Sequence, residues 1–545
     1  MPIITTKELL EGGPLSRGTD AAELLVGTLA ADNIDGQGGD DQIFGLAGHD
    51  KLLGGLGDDT IFGGAGDDTV EGGDGEDDLR GGSRDDRIVG NKGNDRMSGG
   101  SGNDLLVWNN GDGSDKMNGG SGYDRVQVNF DTDLVNDDLQ NKDVAEFSVT
   151  DKGVQFARIE VNDQTERGLF QLDIRKTEDL ETNFGGGDDT AVIVDLVLDE
   201  ITLDLDGGDG IDTLDLSQAA GPVGKVDLGK GQLGDSAAVN FENVVGTAFD
   251  DRIRGDREDN VLSGGDGEDR LNGRGGDDRI VGNKGDDKMS GGAGNDLLVW
   301  NNGDGSDKMN GGSGYDRVQV NFDTDLVNDD LQNKDVAEFS VTDKGVQFAR
   351  IEVNDQTERG LFQLDIRKTE DLETNFGGGD DTAVIVDLVL DEIRLDLDGG
   401  DGIDTLDLSQ AAAGIEVDLS AGTMDGSTAV NFENVTGTAF DDTIRGDDGD
   451  NVIRSGSGND IMSGGAGADT FVFDFGDEGV DVILDFEVGV DSIVFEGIGA
   501  ELAPAAMVQS MEQVGDDIEL SINGRSIMIE DANIADLGAS DLLMA

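Results

Sequence analysis

From Gly36 onward an apolar side chain returns at every ninth position: Ile43, Leu52, Ile61, Val70, Leu79, Ile88, Met97 and Leu106. Each sits between polar neighbours and follows a glycine-rich stretch, as in GGLGDDTIF and GGAGDDTVE. A period of nine fits neither an amphipathic helix nor a long alternating strand. It predicts a very short strand with one inward side chain, closed by a tight turn. Two such units make one 18-residue turn, so the pattern predicts two narrow parallel sheets facing each other across a core of those aliphatic residues. The fold class expected is all-β: a parallel β-roll or β-helix solenoid with irregular β-rich segments between repeat blocks.

The frame sets the organisation. A lead-in over 1–26 precedes a first nonapeptide block over 27–127, in which Trp108 and Asn109 interrupt the count. Blocks two and three cover 246–319 and 437–472, and a C-terminal cap and tail cover 473–545. Between the blocks lie two irregular segments, 128–245 and 320–436, within a long duplication: Asp85 to Ala220 recurs as Asp277 to Ala412, an offset of 192, with four differences. Alternating stretches such as Val126 to Phe130 and Gly168 to Ile174 read as strands. The segments therefore read as continuations of a solenoid with longer turns.

Composition changes the picture in one respect. With 120 acidic against 38 basic residues the formal charge is -82, and only 35% of the residues are hydrophobic and 5% aromatic. Such a chain repels itself and, without cations, reads as disordered. No basic stripe suits nucleic acid. No cysteine is present for disulfides or thiolate metal sites, and no apolar run reaches the roughly 18 residues of a membrane-spanning helix. Met1 to Glu8 lacks the basic and apolar features of a signal peptide, so conventional signal-directed export is not expected.

The acidic residues are placed with the same period. Position six of the repeat is Asp41, Asp50, Asp59, Asp68, Asp77, Asp86, Asp95, Asp104, Asp115 and Asp124 in the first block, and Asp189 and Asp212 in isolated repeat-like loops. It is Asp251, Asp269, Asp278, Asp287, Asp296, Asp307 and Asp316 in the second block, Asp381 and Asp404 in its loops, and Asp442, Asp460 and Asp469 in the third. Strands about 4.8 Å apart would stack Asp41 over Asp59 and Asp50 over Asp68, and bare carboxylates at that spacing repel by about 1 kcal/mol per pair even in water. Hard, oxygen-ligated calcium between same-side turns would reverse the sign, drawing on carboxylates and glycine carbonyls. All these aspartates are candidate metal ligands.

GGLGDDTIF, GGSGNDLLV and GGAGADTFV resemble the hemolysin-type calcium-binding repeat of the RTX family, and Asn240 to Val244 and Asn431 to Val435 resemble the segments that open such blocks. The tail from Thr470 resembles the family's cap, and the last 45 residues its uncleaved export signal. The resemblance implies several bound calcium ions, type I secretion through an exporter that reads the tail, and an extracellular or cell-surface location.

Other features carry less. Carboxylate pairs such as Asp58 and Asp59 recur in unit after unit, as no single active site does. The only histidine, His49, occupies a variable fifth position and supports no triad. Arg254-Gly255-Asp256 and Arg445-Gly446-Asp447 fall at repeat junctions and read as coincidences with an integrin motif. Trp108 and Trp300 admit two readings, a stacking platform for a sugar or a cover over the core where the register slips, and the second is preferred. The function expected is a noncatalytic structural or adhesive protein that folds on external calcium, with cell-surface polysaccharide or self-assembly as partners. The alternatives are a carbohydrate-binding protein with duplicated sites and, behind it, an RTX enzyme. An enzyme of that family would place a catalytic domain ahead of a frame that here begins at Gly27, and a pore-forming toxin would need long apolar helices.

Overall fold

A computed structural model describes residues 5–8, 16–130, 142–150, 153–162, 165–175, 179–194, 202–322, 334–342, 345–354, 357–367, 370–386, 393–474, 479–497, 511–522, 525–538 and 541–544. The chain divides into two units, Met1–Arg274 and Gly275–Ala545. Each is a parallel β-solenoid, and among the described residues the only helical element is the short 3-10 turn Leu228–Lys230.

In the first unit one sheet stacks Glu23–Val26, Gln42–Ala47, Thr60–Ala65, Asp78–Ser83, Arg96–Ser101 and Lys116–Ser121. The facing sheet stacks Asn33–Gly38, Lys51–Leu56, Thr69–Asp74, Arg87–Lys92 and Leu105–Asn109. Register partners such as Ile43 and Ile61, or Leu52 and Val70, lie one 18-residue turn apart, as the period of nine requires. Ile34, Ile43, Leu52, Ile61, Val70, Leu79, Ile88 and Leu106 are fully buried, each worth about 1.5–3 kcal/mol of transfer free energy.

The strands are longer than the pattern suggested. Gln42–Ala47 spans six residues and turns both Ile43 and Gly45 inward, so the extended backbone runs on into the glycines instead of ending at the aliphatic residue.

The irregular segments insert strands into the sheets without breaking the stack. After Lys116–Ser121 the next layer is a three-stranded meander, Thr165–Arg175, Gly153–Asn162 and Lys142–Thr150, after which parallel stacking resumes with Thr190–Val194. Two added strands on one side would put the sheets out of step by about 10 Å. The opposite sheet answers with a small meander, Ser236–Val239, Gln232–Leu233 and Lys225–Asp227, inserted between Thr202–Asp206 and Arg252–Arg254. Six pairing steps then separate Lys116–Ser121 from Asn243–Val245 in one sheet, and six separate Arg125–Asn129 from Arg252–Arg254 in the other. The second unit repeats the device with Lys334–Thr342, Gly345–Asn354 and Thr357–Arg367 against Glu416–Asp418, Thr423–Met424 and Ser427–Val430.

Aromatic columns fill the core beside these meanders. Trp108, Phe130, Phe184 and Phe241 follow one another with ring centroids 5.0–6.1 Å apart, and Trp300, Phe322, Phe376 and Phe432 do so at 5.0–6.3 Å. At the C-terminal end, Arg525–Ile529 pairs with Gly479–Ile483, and Leu542–Met544 pairs with Ser492–Glu496. The tail is thus part of the last layers of both sheets.

Candidate metal centre

The turns between strands are organised by two rows of side chains. In the inner row the backbone N–H of one position-six residue donates to Oδ1 of its counterpart one same-side turn later. Asp41 donates to Asp59 and Asp59 to Asp77 at 2.7 Å, and Asp50 to Asp68 and Asp68 to Asp86 at 2.8 Å. The row continues from Asp77 to Asp95, Asp86 to Asp104, Asp95 to Asp115 and Asp104 to Asp124. In the second unit it links Asp278, Asp296 and Asp316, and Asp287 with Asp307. Asp189 is linked to Asp212 and Asp381 to Asp404, while Asp442 is linked to Asp460 and Asn451 to Asp469. Asp269 receives Asp251. All 24 aspartates expected as ligands are buried.

The second carboxylate oxygen is the telling one. From Asp41 to Asp115, nine successive position-six residues (Asp41, Asp50, Asp59, Asp68, Asp77, Asp86, Asp95, Asp104 and Asp115) hold Oδ2 buried without a hydrogen bond. From Asp41 to Asp104 that oxygen faces the first glycine of its own repeat. A methyl group on Gly63 would lie 2.6 Å from Oδ2 of Asp68 and 2.5 Å from the carbonyl oxygen of Gly81 on the next same-side turn. Gly63 has ordinary backbone angles, so the absent side chain leaves room for converging oxygens. Gly66 has a different reason: its φ is +147°, and a side chain there would overlap the carbonyl of Gly48.

Burial of these carboxylates in their anionic form is costly. Desolvation, reinforced by neighbouring ladder carboxylates, pushes Asp59, Asp86 and Asp95 from 3.8 up to about 7. Asp115 and Asp307 rise to about 8, where the inserted turns add Asp112 and Asp304. The turns therefore offer buried negative charge beside carbonyl oxygens, a donor set that suits a hard cation. Among the described residues no three His, Cys, Asp or Glu side chains converge as a metal cluster, so any such site relies on backbone oxygens for most of its ligands.

Some expected ligands differ from the rest. Oδ2 of Asp251 accepts the N–H and hydroxyl of Thr247, at 2.6 and 2.9 Å, and Asp442 is held in the same way by Thr438. Their second oxygen is already engaged, so these first turns do not repeat the free-oxygen geometry. Where position six is asparagine, Nδ2 of Asn451 donates to the carbonyl of Glu433 at 3.0 Å, and Asn260 does so to Glu242. Beside Asn260, Arg274 donates to the carbonyl of Gly255 at 2.7 Å and pairs with the buried Asp227 at 2.7 Å.

Trp108 and Trp300 are not stacking platforms. Both are fully buried, and their Nε1 atoms donate to the carbonyls of Gly113 and Gly305 at 2.8 and 2.9 Å. They cover the core where the register slips, the reading preferred from the sequence, and present no exposed ring to a sugar. His49 is exposed and stands in the outer row, its Nδ1 3.0 Å from the N–H of Asp67.

Sequence reasoning missed several ladder members. Glu242, Glu433 and Glu370 accept through Oε2 from Asp212, Asp404 and Asp316 at 2.7–2.8 Å, and Asp491 accepts from Asp469 at 2.9 Å. A usable signal exists: each lies immediately before a short strand, as position six does.

Comparison with known proteins agrees with this geometry. The chain matches the RTX calcium-binding nonapeptide repeat over residues 17–52, 44–79, 71–106, 110–136, 245–280, 264–298, 302–328 and 436–471. No curated protein matches it. Among solved structures, the extracellular lipase LipA from Serratia marcescens is similar at 18% identity over 62% of this chain and 45% of the lipase, with a TM-score of 0.19. The match thus spans less than half of the lipase's length.

Proposed function

Built on RTX calcium-binding nonapeptide repeats, the chain is a repeat protein of that family, and from this premise we propose that it is secreted, noncatalytic structural or adhesive material completed by extracellular calcium. The observation that carries the reading is the row of buried Oδ2 atoms from Asp41 to Asp115, each without a hydrogen bond, with a glycine carbonyl of the next same-side turn converging beside those of Asp41, Asp50, Asp59, Asp68, Asp77 and Asp104. Those aspartates, with Asp212, Asp307, Asp404 and Asp469, would hold the metal together with carbonyl oxygens such as that of Gly81. Bound calcium supplies a dipositive charge that removes the repulsion and satisfies these oxygens.

The chain's own residues do the remaining work. Oδ1 of each aspartate fixes its carboxylate by accepting the N–H of the previous same-side turn, and the first glycine of each repeat keeps the space clear. In a cytosol poor in calcium the acidic chain would stay unfolded and fit for export through a type I exporter. Outside, the filled turns would set as a scaffold for attachment to surface polysaccharide or to further copies. The exposed, solitary His49 offers no catalytic constellation.

The test is a calcium titration of the purified chain, followed by circular dichroism, and then incubation of the loaded protein with isolated cell-surface polysaccharide. The expected result is a steep gain of β-signal at about 10⁻⁴–10⁻³ M calcium, with polysaccharide retention that a chelator abolishes. A β-signal unchanged by chelator would overturn the folding role. Turnover of esters, peptides or glycans by the purified chain, lost when the irregular segments are scrambled, would overturn the noncatalytic one.

A further inference from the structure

In the second unit an arginine stands where one side of the inner row ends. Asp442 donates to Oδ1 of Asp460 at 2.9 Å, and Asp460 donates to Oδ1 of Asp481 at 3.2 Å. Asp481 is fully buried, and its Oδ2, the atom that carries no hydrogen bond at Asp59 or Asp77, accepts from Nε of Arg525 at 2.7 Å. The Arg525 side chain is 5% exposed. Its Nη2 donates to the carbonyl of Gly456 and to Oγ of Ser455, both at 3.0 Å, and Nη1 donates to the carbonyl of Asp474 at 2.9 Å. Phe473 covers its flat face at 4.8 Å.

Ser455 and Gly456 open the repeat that carries Asp460, one same-side turn before Asp481. A carboxylate of one turn and a carbonyl of the preceding turn thus converge on one positive group. The same two oxygen types, a carboxylate and a glycine carbonyl of an adjacent same-side turn, meet at Asp68 and Gly81 in the regular block, where the carbonyl comes from the following turn.

We infer that Arg525 is the resident cation of the last inner-row site on the Asp442–Asp460–Asp481 side, so that this terminal turn closes without calcium and takes up no ion. The guanidinium presents several fixed donors and belongs to the chain itself, so a chelator cannot strip it. The strand that carries it, Arg525–Ile529, pairs residue for residue with Gly479–Ile483 and holds the head group in place. The inference rests on the calcium-folding reading for its contrast: the regular turns depend on an added ion and this one does not.

Hydrogen–deuterium exchange on the full chain, in calcium and in chelator, tests it. In chelator the amides of Gly479–Ile483 and Arg525–Ile529 should remain about tenfold better protected than those of Gln42–Ala47 and Thr60–Ala65. Arg525→Met should remove that protection in chelator. Terminal amides that exchange as fast as the block in chelator would overturn the inference, as would full protection retained by Arg525→Met. If the variant collapses even in calcium, the unmodified protein in chelator decides alone. Calcium that protects none of the regular turns would sink the folding reading instead, an outcome read from different peptides.

Discussion

The backbone N–H of Asp59 donates to Oδ1 of Asp77, 2.7 Å away and one same-side turn further along the chain. The residue before it works in the opposite sense: Oδ1 of Asp58 accepts from the N–H of Glu76 at 2.9 Å, and Asp40 accepts likewise from Asp58 at 3.1 Å. Adjacent aspartates therefore clamp each turn to both neighbours, the inner one buried and the outer one exposed.

This difference in burial makes the pair separable. Asp59→Ala should leave the buried N–H of Asp41 unsatisfied, at a cost of about 1–3 kcal/mol, and should raise the calcium midpoint. Asp58→Ala removes only an exposed acceptor and should cost less than about 1 kcal/mol. Asp59→Asn keeps Oδ1 but loses the charge, so it should retain the turn and shift the midpoint alone. Calcium titrations followed by circular dichroism check this, and equal midpoints for the two alanine variants would assign binding to bulk charge.

The regular blocks were legible because one residue type per position repeats: Ile43 over Ile61 and Asp41 over Asp59 follow from the period alone. What the period cannot show is an acceptor of another length or from another distance. Glu242 takes the place of an aspartate for Asp212, 30 residues away, and Arg525 reaches Asp481 across 44 residues. The outer row was also hidden, since Asp58, Asn103 and His49 all serve it and their variety reads as tolerance.

The two reasons for glycine can be told apart. At Gly63 the backbone is unstrained and the neighbouring oxygens forbid a side chain, so Gly63→Ala should displace Oδ2 of Asp68, destabilise by about 1–3 kcal/mol and weaken calcium binding. At Gly111, φ is +86° and nothing lies within 4 Å, so Gly111→Ala should cost only about 1–2 kcal/mol of backbone strain and leave the calcium midpoint alone. Melting in saturating calcium, with titrations alongside, distinguishes them. A calcium midpoint shifted equally in both would refute the assignment.

The paired meanders predict a rescue. Excising Gln232 to Val239, two of the three strands of the small meander, should leave the sheets of the first unit two strands out of step, about 10 Å, and disrupt the turns that follow. Excising the matching two strands of the large meander as well should restore the register at Asn243–Val245 and Arg252–Arg254. The double deletion should therefore recover more calcium-induced β-signal than either single one. A double deletion worse than both would show that the meanders do not balance each other.

Protons and calcium should act on the same oxygens with opposite consequences. In calcium-free protein burial raises Asp59, Asp86 and Asp95 to about 7 and Asp115 to about 8, against 3.8 in an open chain. A folded-state pKa above the unfolded one means that the fold binds the extra proton. The resulting stability is complete below about pH 4 and is lost as the pH rises through about 6 to 8. Calcium-free chain that is unfolded at about pH 8 should accordingly gain β-signal as the pH falls toward about 5, each proton removing one repelling charge. With calcium present the same protonation removes ligands, so the calcium midpoint should move to higher concentration over that range. Circular dichroism of dialysed protein across the range, with a calcium titration at each pH, reads both effects. A calcium-free signal that stays flat while the calcium-loaded control is fully folded would mean that these carboxylates are not buried as anions in the turn, and the metal-ligand assignment would fall with them.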